Sequence, residues 1–220
     1  MKKQQQILIS SLYLFNKKGI NEVSTNLVCD YMDISPGNLY YYYKNKMNII
    51  ESLVEQLINE ITLSLNLSKD IDNKNPNAIA FFLKEFFIIM WKYRFFYRNL
   101  SEILLKSPLS KNLYETFKLK VYKYLKRLIN ALIKNNFLLN IKKDMKEFID
   151  VIQLFTTFWI PNELLVKHNE LLSIKTAYIG MDKFINNFNF IATPEGLQLI
   201  SCIKLELALY CENDLLKGTH

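Results

Sequence analysis

With 220 residues, half of them apolar, 22% charged, and only 5 glycines and 5 prolines, the chain suits one or two packed domains and is neither disordered nor collagen-like. So little turn chemistry also excludes a β-sandwich or barrel, which needs a turn about every 8–12 residues, and leaves an all-α fold. Lys and Arg outnumber Asp and Glu 28 to 21, and the net charge of +7 favours a polyanionic partner but is too small for binding by charge alone, so any DNA binding depends on a shaped site.

Lys2, Lys3, three glutamines and Ile7-Leu8-Ile9-Ser10-Ser11 do not make a signal-peptide core. Apolar runs such as Phe86 to Trp91 stop far short of the ~18 residues that cross a bilayer, so a cytoplasmic protein is expected. The first helix is predicted near 3–18, where Leu8, Ser11, Leu12 and Phe15 share a face and Gly19 closes it. Residues 24–43, STNLVCDYMDISPGNLYYYY, read as a short helix near 24–31, a tight turn at Asp33-Ile34 and a Ser-capped helix near 35–42, which is helix-turn-helix grammar. Leu27 and Val28 with Leu39 supply the packing between the two, leaving Pro36, Gly37, Asn38 and the tyrosines to point outward.

Asn45 caps a long helix near 46–66, with Ile50, Leu53, Leu57, Ile61 and Leu65 at three- and four-residue steps. Polar residues Ser68 to Asn77 are the linker-like shift, and a domain boundary is expected just before or within them. Further helices are predicted near 76–98, 101–106, 108–135, 144–165, 171–190 and 194–212. Ser35-Pro36, Asn75-Pro76, Ser107-Pro108 and Thr193-Pro194 each pair an N-cap with a proline at the first helical position, where its missing N–H is not needed. Pro161 should end or kink its helix.

The frame Ile7-Leu8, Leu14-Phe15, Gly19, Ser24, Val28, Ile34-Ser35, Gly37, Leu39-Tyr40, Tyr42-Tyr43 and Lys46 resembles the TetR family of bacterial transcription regulators over roughly the first fifth of the chain. Asp33 departs from the glycine usual in the family's turn; Cys29 and Tyr43 stand for a usual Ala and Phe. The resemblance implies an N-terminal three-helix helix-turn-helix DNA-binding domain at 1–46 and a helical ligand-binding and dimerisation domain at 47–220, with helix 46–66 connecting the two. It further implies that Ser24, Thr25 and Asn26 touch phosphate or a base edge, although Ser24 can also cap its helix. Pro36, Gly37, Asn38 and Tyr40 match groove-contacting positions, with Asn38 able to pair with adenine and Tyr40 alternatively packing on the first helix. Tyr41 and Tyr42 are phosphate donors in this reading, and Lys46 matches a phosphate-binding lysine. A cation in the first turn of a helix opposes the helix dipole, which favours an external anion over a merely solvated lysine.

Trp91, Phe95, Phe117, Phe155, Phe158 and Trp159 are candidates for a pocket holding a small apolar effector, with plain core packing as the alternative. The basic run from Lys118 to Lys146 reads as a solvated face, with an acidic effector head group as the minority reading. Two histidines and three cysteines without metal-ligand spacing give no zinc site, Asp70 and Asp72 lack the further ligands of a calcium loop, and no nucleophile or phosphate loop occurs. Neither enzyme activity, a cofactor nor a metal is expected. The function expected is that of a homodimeric, sequence-specific, ligand-responsive repressor on a palindromic operator in double-stranded DNA. The rivals are a helical module acting through a protein partner and an apolar-ligand sink with a weakened DNA motif.

Overall fold

A computed structural model describes residues 2–67, 74–166 and 173–216, so Asp70, Asp72, His168, His220 and the greater part of the linker lie outside the described residues. Each Ser, Thr or Asn before a proline caps as its sequence dictates. The Ser35 hydroxyl accepts from Asn38 N, Asn75 Oδ1 from Asn77 N, the Ser107 hydroxyl from Ser110 N and the Thr193 hydroxyl from Gly196 N. The helices are α1 Lys3–Lys18, α2 Thr25–Met32, α3 Pro36–Tyr42, α4 Lys46–Leu67, α5 Pro76–Lys92, α6 Arg94–Arg98, α7 Leu100–Lys106, α8 Pro108–Lys134, α9 Met145–Val166, α10 Ile174–Asn186 and α11 Pro194–Leu216, with a 3-10 turn at Asn189–Ile191. The all-α fold is as the sequence predicts; Leu138 and Ala192 form an isolated bridge between loops.

One helix expectation changes, and one of two alternatives at a proline is settled. The single helix predicted over 76–98 is broken at Tyr93 into α5 and α6. The side chain of Asn16 fills the break: it donates to Lys92 O at 2.8 Å and accepts from Phe95 N at 3.0 Å, so backbone groups that leave the helical ladder keep partners. Pro161 does not end its helix, because α9 runs through it to Val166.

The chain divides into two compact units, 1–60 with 92–116, and 61–91 with 117–220. In the first, α1 packs on α2 and α6, and α2 on α3. Its core holds Ile7, Phe15, Val28, Leu39, Leu53, Phe95 and Phe96, all nearly or fully inaccessible. Phe15 and Phe95 meet with ring centroids 5.6 Å apart. In the second unit α10 packs between α9 and α11, and eight of its residues, from Ile174 to Ile185, are buried. Gly180 of α10 lies under the Trp159 indole of α9, where a β-carbon would come within 2.6 Å of ring atoms.

Candidate nucleic-acid interface

The interface is built by two caps and one left-handed residue. Ser24 precedes α2 in extended conformation and its hydroxyl accepts from Leu27 N, satisfying one of the unpaired donors at a helix start. Asp33 ends α2 at φ 51°, ψ 54°, the conformation that lets the chain reverse and for which the sequence offers Asp where Gly is easier. Ser35 and Pro36 then start α3. Leu39 is wholly buried against the core while Pro36, Gly37, Asn38, Tyr40, Tyr41 and Tyr42 are exposed, Tyr41 most at 82%. One buried position in a seven-residue helix leaves its other faces available to a ligand.

The remaining candidates gather beside this helix. Ser24 and Asn26 are exposed and Thr25 half-buried, and the Thr25 and Tyr40 hydroxyls share a hydrogen bond of 3.1 Å. Tyr40 is thus tied to the start of α2 while almost half its surface stays accessible. The Tyr41 and Tyr42 rings meet edge to face at 4.9 Å. Asn45 caps α4 through Asn48 N at 3.0 Å. Lys46 is half-buried, and its ammonium donates to the Ile20 carbonyl at 2.7 Å, an internal bond the sequence did not announce.

The charges are arranged unevenly. Between Ser24 and Tyr43 there is no Lys or Arg, only Asp30 and Asp33; Lys17, Lys18, Lys44 and Lys46 flank the motif. Such a surface attracts phosphates at its edges and presents hydroxyl, amide and ring edges at its centre. Sequence reasoning passed over the exposed Tyr13 and Tyr31, whose rings stack at 5.5 Å, with Lys17 donating to the Tyr13 hydroxyl at 3.2 Å. Their signal was a tyrosine off the apolar face of α1 four residues before a lysine.

The second unit contains a cavity of about 110 Å³ with walls from α5 (Phe82, Phe86), α8 (Leu128), α9 (Ile152), α10 (Phe184) and α11 (Ile203). None of the six aromatic candidates lines it. Phe95 belongs to the core of the other unit, Phe158 is 52% exposed, and Trp91 and Trp159 pack on each other at 6.4 Å with Phe87 beside Trp159. Phe155 packs on Phe184, and Phe117 is buried. Helical spacing names the aromatic helices but not which face meets the void. All nine cations between Lys118 and Lys146 are exposed.

Comparisons with known proteins agree with this architecture. Residues 7–53 match the family profile described as bacterial regulatory proteins, tetR family, and residues 55–199 match the one described as bacterial transcriptional repressor. A TetR-family transcriptional regulator from Marinobacter aquaeolei VT8 superposes with a TM-score of 0.82 at 25% identity, covering 94% of this chain and 99% of that one. The ketosteroid transcriptional regulator KstR2 of Mycobacterium tuberculosis has the same fold, with a TM-score of 0.64 at 14% identity over 87% of this chain and 96% of that one. The nucleoid occlusion factor SlmA of Haemophilus ducreyi is 31% identical over 78 residues, which span 35% of this chain and 39% of that protein.

Proposed function

The chain belongs to the tetR family of bacterial regulatory proteins, and we propose that it is a homodimeric repressor whose α3 helices read a palindromic operator and whose C-terminal body releases DNA when a small apolar effector binds. The observation that carries this reading is α3 itself: with Leu39 its one buried side chain, it offers Asn38 and three tyrosines to the outside behind a doubly capped turn. Asn38 pairs with a base edge, Tyr40 enters the groove, and Ser24, Thr25, Asn26, Tyr41, Tyr42 and Lys46 take phosphates, with Pro36 and Gly37 allowing close approach. Residues 1–46 are the DNA-reading domain and 47–220 the effector and dimerisation domain in this proposal.

Dimerisation is assigned to α9 and α11. Val151, Leu154, Phe158 and Leu165 form an exposed apolar stripe at three-, four- and seven-residue steps on α9, and Leu205, Leu209 and Leu216 another on α11. Stripes of this kind favour a second copy over water. The largely buried α10 is unsuited to that role. Among the described residues no helix is long and apolar enough to cross a membrane, and a cytoplasmic regulator without enzymatic activity is the reading we adopt.

The test is a footprint of the full chain on the DNA upstream of its own coding sequence. Protection of two half-sites one helical turn, ~34–36 Å, or a multiple apart is expected. Protection of a single site, or none under conditions where the chain is folded, contradicts the proposal.

A further inference from the structure

The cavity of the second unit combines an apolar lining with a small volume. Its walls are Leu, Ile and Val side chains, Gly196 and five phenylalanines, Phe82, Phe86, Phe137, Phe184 and Phe188; Tyr124 and Thr156 supply the polar side chains, and no charged residue among the described ones lines it. The Thr156 hydroxyl donates to the Gln153 carbonyl at 3.1 Å, so towards the cavity it has lone pairs to offer and no proton. A carboxylate placed there finds no cation, and an ammonium finds no anion. An ion taken out of water without a partner is costly, so a charged molecule that must sit wholly within this lining is disfavoured.

Volume sets the second limit. A Leu/Ile/Phe-lined cavity of about 150 Å³ stays dry and takes benzene. At about 110 Å³ this one is smaller, so a single six-membered ring is near the upper bound. Those rings already meet one another edge-on or tilted, as Phe184 does with Phe188 at 5.6 Å and Phe82 with Phe86 at 6.2 Å. An aromatic guest extends the same geometry.

We propose that this cavity binds a small uncharged monocyclic molecule of about six to eight non-hydrogen atoms, with at most one hydroxyl or N–H, which donates to Thr156. The inference deepens the effector part of the proposed function and rests on it for its regulatory meaning. The basic face between Lys118 and Lys146 plays no part, because its cations are exposed and absent from the lining.

The experiment is calorimetric titration of the full-length protein at pH 7 with toluene, phenol, benzoate and benzylamine. Toluene and phenol are expected to saturate one site per chain, and the two ions to bind at least on the order of a hundredfold more weakly. Thr156→Val is expected to leave toluene affinity unchanged and weaken phenol about fivefold. Leu128→Trp, which fills the cavity, is expected to abolish toluene binding; if that variant does not fold, the Thr156→Val ratio of phenol to toluene stands as the site-specific readout. Benzoate or benzylamine within tenfold of toluene overturns the proposal, as do failure of both neutral probes to bind and unaltered toluene binding in folded Leu128→Trp. Operator binding is measured in parallel. Selective toluene binding that leaves operator affinity unchanged supports the cavity's selectivity and contradicts the effector reading of the regulator, whereas operator binding with no neutral ligand bound contradicts the cavity alone.

Discussion

At the residue scale, the turn of the DNA motif depends on Asp33, a side chain held at φ 51° where a β-carbon crowds its own carbonyl. Asp33→Gly is expected to raise stability by about 0.5–1 kcal/mol in urea unfolding, and Asp33→Ala to lower it by a similar amount. That strain was legible in the sequence, since the family turn prefers Gly. The bond from Lys46 to Ile20 was not, because its partner is a backbone carbonyl 26 positions away, and no residue type advertises a carbonyl. The ammonium donates once to Ile20, and an ammonium carries three protons to donate. Lys46→Ala is therefore expected to cost about 1–2 kcal/mol of folding stability and also to flatten the salt dependence of DNA binding by about one unit per monomer. An unchanged slope with lowered stability makes Lys46 a brace between α4 and the segment before α2, and nothing more.

At the scale of the helices, the boundaries legible in the sequence are those set by local interactions. Asn45 and the four residues before the prolines mark helix starts because a cap interacts within three positions of itself. The break at Tyr93 has no local signal, because KYRFFYRN holds no Pro or Gly and the side chain that stabilises it comes from α1. Asn16→Ala removes both bonds at once and is expected to lower stability by about 1–3 kcal/mol in chemical unfolding while the far-ultraviolet signal of the native state persists. Gly180 gives an opposing sign test within the second unit. In an exposed helix Gly→Ala gains about 1 kcal/mol. Under Trp159 the added methyl meets ring atoms at 2.6 Å, and overpacking of ~1–3 kcal/mol wins. Gly180→Ala is expected to be destabilising and to shift tryptophan emission; a stabilised variant with native emission contradicts this packing.

At the scale of the whole molecule, fold class and family were visible because helical periodicity and the motif frame are sequence-local, while the cavity and the exposed stripes are products of packing. Phe95 illustrates the difference: its helical spacing suggested a pocket, yet it joins Phe15 in the core of the unit that holds the DNA motif. The exposed α9 and α11 stripes emerge only when α10 is seen to be interior. The central claim is that a dimer of this chain reads sequence through α3. The most direct test is a competition titration of wild type and Asn38→Ala against the footprinted operator, each single-base variant of one half-site, and a scrambled duplex at fixed salt. A loss of ~1–3 kcal/mol of discrimination confined to one base pair per half-site, with scrambled binding unchanged, is the result expected. An equal loss on every duplex, or no loss at all, contradicts base reading by Asn38 and with it the assignment of α3 as the reading helix.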